Sequence, residues 1–155
     1  MDEHARILII DDDESIRKIL SAILEDEGYA VETAENGREA IDKTNVKVYN
    51  LALIDVRLPD IEGVVLLGKL KETVPRMRKI IITGFPTVQN AIEAVNNKAD
   101  AYMLKPFEIG KILETIKEQL KKQWEEKEYS QNRITEFIET RVRELEMENA
   151  PKTSQ

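Results

Sequence analysis

Short continuous apolar runs recur along the chain, each followed by a helical rhythm. Ile7-Leu8-Ile9-Ile10 after Arg6, Leu51-Ala52-Leu53-Ile54, Ile80-Ile81-Ile82 and Ala101-Tyr102-Met103-Leu104 suit strands buried on both faces of a parallel sheet. Tyr29, Val31 and Thr33 alternate and predict a shorter strand. Ile16, Ile19, Leu20, Ile23 and Leu24 repeat at helical spacing, with Ser15 expected as the cap and Gly28 as the stop. Asn36-Gly37 predicts a turn before a helix from about Arg38 to Val46. A further helix is expected from about Glu62 to Glu72, ended by Pro75, and another begins at Thr87 and carries Val88, Ala91, Ile92 and Val95.

Strand and helix thus alternate five times. The expected fold is α/β: a doubly wound, flavodoxin-like parallel sheet of order 2-1-3-4-5, since right-handed crossovers leave few other topologies.

The C-terminal part reads differently. After Gly110 there is no Gly or Pro up to Ala150. Ile109, Leu113, Ile116, Leu120 and Trp124 form one stripe, and Ile134, Phe137, Ile138, Val142 and Leu145 a second. The polar stretch between them admits one long bent helix or two helices jointed near Ser130. The expected organisation is a domain over 5–122, a helical extension over 123–150 and a disordered end over 151–155. The second stripe can pack back on its own domain, pair with a second copy, or begin a linker. An interaction or homodimerisation helix is the favoured reading, although the stripe covers few heptads.

Composition narrows the chemistry. The 155 residues carry a formal net charge of −7, no cysteine and a single histidine, His4. These facts exclude disulfides, thiol catalysis, a multi-histidine metal site and a His-based triad. The acidic balance, and a tail in which acids outnumber bases, argue against nucleic-acid binding and a polybasic membrane patch. No apolar stretch approaches the roughly 20 residues of a membrane helix, and no signal-peptide pattern opens the chain, so a cytoplasmic protein is expected.

The candidate chemistry lies where the apolar runs end. Asp11 and Asp12 follow the first, Asp55 the third, Thr83 the fourth and Lys105 the fifth strand. In a parallel sheet these ends share one edge, beside the point where strand order reverses and ligands bind. Three converging carboxylates need a cation, and Mg²⁺ suits an oxygen site open to phosphate. A carboxylate can itself accept a phosphoryl group, and no nucleotide-binding glycine loop is present.

Ile7 to Glu14, Ile54-Asp55-Val56-Arg57-Leu58-Pro59-Asp60 with Gly63, Ile82-Thr83-Gly84 and Tyr102-Met103-Leu104-Lys105-Pro106-Phe107 together resemble the response-regulator receiver domain of two-component signalling. The resemblance covers about residues 5 to 122. It implies that Asp55 takes a phosphoryl group from a phosphohistidine on a sensor histidine kinase or phosphotransfer protein. Mg²⁺ would be held by Asp11, Asp12, Asp55 and the backbone carbonyl of Arg57. Lys105 and Thr83 would bind the phosphoryl oxygens, and Tyr102 would turn inward to remake a surface for a downstream protein. The resemblance also implies a cis Lys105-Pro106 bond. Lys98 stands where many members have glycine. Arg57 and Phe85 occupy positions that govern water access in the family, and would slow hydrolysis of the aspartyl phosphate.

Two other functions are weighed against this. A non-switching scaffold would keep the fold without needing the intact set Asp11, Asp12, Asp55, Thr83 and Lys105. A Mg²⁺-dependent phosphatase of the haloacid-dehalogenase kind needs a second aspartate two residues after its nucleophile. Arg57 fails that test for Asp55, whereas Asp13 meets it for Asp11; the chain lacks room for a cap domain.

Overall fold

The computed structural model describes residues 4–84 and 86–151. In chain order the elements are β1 (Arg6–Ile10), α1 (Glu14–Asp26), β2 (Ala30–Ala34), α2 (Gly37–Val46), β3 (Leu51–Asp55), α3 (Gly63–Leu66), β4 (Arg78–Thr83), α4 (Val88–Asn96), β5 (Ala101–Leu104) and α5 (Ile109–Glu148). All strand pairs are parallel, in the order β2-β1-β3-β4-β5, as the alternation predicts.

The apolar runs are continuous because both faces of the central strands are covered. Ile7, Ile9, Leu51, Leu53, Ile80 and Ile82 pack with Leu20 and Leu24 of α1 and Ile112 and Ile116 of α5. Their alternates Leu8, Ile10, Ala52, Ile54 and Ile81 pack with Ala40 of α2, Val64 and Leu66 of α3 and Ala94 of α4. The apolar residues of the central strands thus alternate between two cores.

Local signals place most helix ends. Asn36 and Thr87 cap α2 and α4 by accepting from Glu39 N–H and Asn90 N–H. Gly28, at φ 95°, releases the chain from α1. Lys98 takes φ 65° after α4, the left-handed position read as glycine-prone, at a cost of roughly 1–2 kcal/mol. The Lys105-Pro106 bond is cis.

Two expectations are corrected. The cap of α1 is Asp13, whose Oδ1 accepts from Ser15 N–H at 2.9 Å and Ile16 N–H at 3.3 Å; Ser15 lies inside the helix. α3 ends at Leu66, not near Glu72. Its β-branched Val64 and Val65 and the following Gly68 are poor helix formers, and the buried Lys79 ammonium takes the Leu67 carbonyl at 2.9 Å. Of the two readings open for the C-terminal part, the structure takes the single long helix: α5 runs through Ser130 without a joint.

Gln123 is the last buried residue of α5. Its Nε2 donates to the carbonyls of Asn50 (2.9 Å) and Arg76 (2.8 Å), while Asn50 Nδ2 donates to its Oε1 (3.1 Å). Arg78 ties Glu126 to the same edge of the sheet. Beyond these anchors α5 stands clear of the sheet, and the stripe Ile134, Phe137, Ile138, Val142 and Leu145 is exposed. No described helix is long and apolar enough to cross a membrane. Of the end expected to be disordered, 151–155, only Pro151 is described, and Phe85 lies outside the described residues.

Candidate functional site

Register brings the chemistry to one edge. Asp55 is the last residue of β3 and pairs with Ile82, one position before Thr83, which in turn pairs with Leu104, the neighbour of Lys105. Asp11 follows β1, whose Ile10 lies beside Ile54. The five residues singled out from the strand ends are therefore neighbours in space.

Asp11 and Asp55 are buried and Asp12 is exposed; one carboxylate oxygen from each lies within 4.8 Å of the others. Lys105 Nζ stands 2.8 Å from Asp11 Oδ2 and 3.5 Å from Asp55 Oδ2. Arg17 donates to the Asp11 carbonyl at 2.7 Å, and Asp13 N–H to Asp11 Oδ1 at 2.9 Å, so Asp11 is fixed from both sides. Asp55 Oδ1 accepts a long bond from Arg57 N–H at 3.4 Å.

The electrostatics follow from this placement. Burial pushes the Asp55 carboxyl above its ordinary range and the Asp11 charge adds to the push; Lys105 offsets only part of it. Burial works against the Lys105 ammonium, yet the hydrogen bond it donates to Asp11 and the charges of Asp11 and Asp55 outweigh it and hold its pKa above the usual lysine value. One ammonium thus faces three carboxylates, and the site keeps an excess of negative charge. An all-oxygen donor set with that excess, open on the Asp12 side, fits a hard divalent cation such as Mg²⁺.

Thr83 is fully buried at the end of β4, and its carbonyl accepts from Lys105 N–H at 2.7 Å. Tyr102 packs partly buried against the core on the α2, α3 and α4 side. Its hydroxyl is shut away from solvent without a hydrogen-bond partner among the described residues. The side chain expected to turn inward thus already has its hydroxyl out of solvent. Arg57 is exposed and forms an antiparallel bridge with Glu62.

Sequence reasoning missed two residues. Arg17 sits one turn into α1 and reaches back to Asp11, a contact the α1 pattern does not announce. Asp60 bonds the start of α2, 23 residues earlier in the chain. Both act through space, and spacing along the chain carries no trace of them.

Comparison with known proteins shows the family of the chain. Residues 7–117 match the family described as response regulator receiver domain. The chain is 36% identical over 118 residues to the transcriptional regulatory protein ZraR of Klebsiella oxytoca, which covers 76% of this chain and 27% of that protein. It is 34% identical over 119 residues to the uncharacterized transcriptional regulatory protein YkoG of Bacillus subtilis, covering 77% of this chain and 52% of the relative. The chain therefore spans only about a quarter to a half of these relatives. Among solved structures, a CheY-like receiver domain protein from Methanospirillum hungatei superposes with a TM-score of 0.77 at 44% identity, over 79% of this chain and 98% of that one. NtrX from Brucella abortus superposes with a TM-score of 0.75 at 27% identity, over 82% of this chain and 29% of that one.

Proposed function

Because the chain belongs to the response regulator receiver domain family, we propose that Asp55 takes a phosphoryl group from a phosphohistidine on a sensor kinase or phosphotransfer protein. The observation that carries this reading is the cluster itself. Asp11, Asp12 and Asp55 present carboxylate oxygens within 4.8 Å of one another, with Lys105 Nζ wedged between Asp11 and Asp55.

Mg²⁺ would be held by Asp11, Asp12, Asp55 and the Arg57 carbonyl, and would supply charge neutralisation to the oxygens of the incoming phosphoryl group. The chain's own residues do the rest. An Asp55 oxygen forms the new P–O bond as the P–N bond of the donor breaks, and the donor imidazole keeps the electron pair. The product turns a singly charged carboxylate into an acyl phosphate of nearly two negative charges, a net gain of about one. Lys105 then turns from its carboxylate partners to a phosphoryl oxygen, and the Thr83 hydroxyl donates to another. Tyr102, whose buried hydroxyl has little to lose by moving, follows and remakes the surface around β5. Hydrolysis of the acyl phosphate resets the domain, with Arg57 limiting the approach of water. The functional division of the chain is a receiver over 5–122 and an extension over 123–150, whose exposed stripe pairs with a second copy.

A phosphatase acting through Asp11 would need Asp13 as its general acid. Asp13 is engaged instead as the cap of α1, where its Oδ1 accepts from Ser15 N–H and Ile16 N–H and is held at the helix start. The test of the main reading is intact-mass spectrometry after incubation with Mg²⁺ and acetyl phosphate. One Mg²⁺-dependent phosphoryl adduct is expected on the native chain and none on Asp55→Asn. An adduct of equal stoichiometry on the variant would remove Asp55 from its role.

A further inference from the structure

Resting on the phosphoacceptor reading, we infer that Asp60 is a positioning residue of this site: it fastens the tip of the loop carrying Arg57 to the first turn of α2. The loop connects β3 to α3. Its base is closed by Gly63 N–H donating to the Val56 carbonyl at 2.7 Å and by the Arg57–Glu62 bridge. Gly63 allows this closure because a Cβ there would lie 2.2 Å from the Asp55 carbonyl oxygen.

The tip is held by charge. Asp60 Oδ1 accepts from Gly37 N–H and Oδ2 from Arg38 N–H, each at 2.9 Å. A helix start leaves such N–H groups without internal partners, and a carboxylate there also meets the positive end of the helix dipole. Glu39 N–H is met by Asn36 instead, at 2.8 Å. These bonds hold the Asp60 carboxyl below the usual carboxylate range although it is fully exposed.

Leu58 and Ile61 pack the loop against the core and set its depth. The two directional bonds from Asp60 set its orientation. Arg57 sits between base and tip, so its backbone carbonyl cannot swing without stretching one anchor. Loss of the tip anchor loosens the one backbone oxygen expected to meet the cation. A partner that orients a ligand in this way is worth about tenfold in metal affinity.

Gly37 supplies an independent test, because it lies outside the loop. A Cβ on Gly37 would come 2.2 Å from Ile61 Cγ2 and 3.3 Å from Asp60 Oδ1, pushing the tip away. Alanine is also the better helix former, so Gly37→Ala favours α2 while it disturbs the loop. The experiment measures Mg²⁺ binding by calorimetry on the full chain, with thermal melts beside it. We expect Asp60→Ala and Gly37→Ala each to weaken Mg²⁺ binding about tenfold, with Asp60→Asn, which keeps one acceptor oxygen, between them and the native chain. The Mg²⁺ concentration needed for half-maximal labelling by acetyl phosphate should rise in parallel. If Asp60 only caps α2, Asp60→Ala lowers the melting temperature alone and Gly37→Ala binds Mg²⁺ normally; that result overturns the inference. A native chain that takes up no Mg²⁺ would overturn the phosphoacceptor reading and this inference together. Native binding with unaffected variants would overturn only the role of Asp60.

Discussion

Lys105 leans on Asp11, at 2.8 Å, rather than on Asp55, at 3.5 Å. The ammonium is thus a resident countercharge for Asp11 more than for Asp55. It also competes with any added cation. We expect Lys105→Met to bind Mg²⁺ several-fold more tightly, since the variant removes a positive charge that repels the added cation. The same variant should lose thermal stability without metal and accept phosphate more slowly. Calorimetry settles the first point, and unchanged or weaker affinity would show that Lys105 does not compete.

The parts of this arrangement that could be read from the sequence are those that repeat or end abruptly. β1, β3 and β4 announce themselves because burial on both faces demands unbroken apolar runs, and Asp11, Asp55 and Thr83 stand out as the polar residues that stop them. What stayed hidden depends on partners distant in sequence. The apolar spacing through Leu67 and Leu70 continues past α3, but Lys79, on another strand, takes the Leu67 carbonyl and closes the helix. The Asp60 anchor joins a loop to the first turn of α2, more than twenty residues earlier in the chain. α5 looked breakable across its polar middle because Glu125 to Arg133 lack an apolar stripe. Freedom from Gly and Pro, with ion pairs such as Lys122–Glu118 and Arg141–Glu144, lets the helix run through.

Asp55→Asn should stabilise the metal-free chain even as it abolishes phosphorylation. Asp55 is buried beside Asp11 and its charge is only partly offset by Lys105, so the native carboxylate is a repulsive member of the cluster. The neutral amide removes that repulsion and leaves the Asp11–Lys105 pair intact. A rise of a few degrees in melting temperature is expected without Mg²⁺, shrinking when Mg²⁺ is added to the native chain. A fall would mean that the Asp55 carboxylate contributes bonds the amide cannot replace.

Tyr102→Phe tests the lone hydroxyl beneath the β5 surface. A buried hydroxyl without a partner costs about 1–3 kcal/mol of desolvation. Its removal should leave the unphosphorylated chain as stable or up to about 1 kcal/mol more stable, measured by urea unfolding. A clear loss of stability would reveal a bonding role for the hydroxyl in the resting state.

Asp100 predicts the acid limb of the stability curve. It bridges Arg76 (2.9 and 2.6 Å), Arg78 (3.2 Å) and Lys79 N–H (2.8 Å). Burial opposes its charge, but the Arg76 hydrogen bonds and the Lys79 N–H prevail and depress its pKa. A depressed carboxyl pKa means that the unfolded chain binds the proton first. The contribution is therefore full above the unfolded value, near pH 4, and is lost as the pH falls through the lower folded value. Asp100→Asn should cost roughly 2–3 kcal/mol at neutral pH. It should also flatten the decline below about pH 4, visible in denaturant titrations at stepped pH. An unchanged acid limb would move that dependence to other carboxylates.

The exposed stripe of α5 gives the last prediction. Ile134, Phe137, Ile138, Val142 and Leu145 lie beyond Gln123, the last buried residue of the helix, and no described part of the chain covers them. In proteins most helical stability comes from packing an apolar face, so this exposed stripe calls for a surface to cover it. A second copy offers that surface, because the intrachain pairs Arg133–Glu136 and Arg141–Glu144 leave both signs of charge flanking the apolar line. A charge at the centre of such a seam would be desolvated without a partner. Ile138→Asp should therefore convert a dimer to a monomer in sedimentation velocity and lower the helical signal at 222 nm. The phosphoryl adduct on Asp55 should form as before, since Gln123 and Glu126 hold the root of α5 independently of what lies beyond. A native chain that sediments as a monomer with full helicity would rule out pairing as the support of this helix.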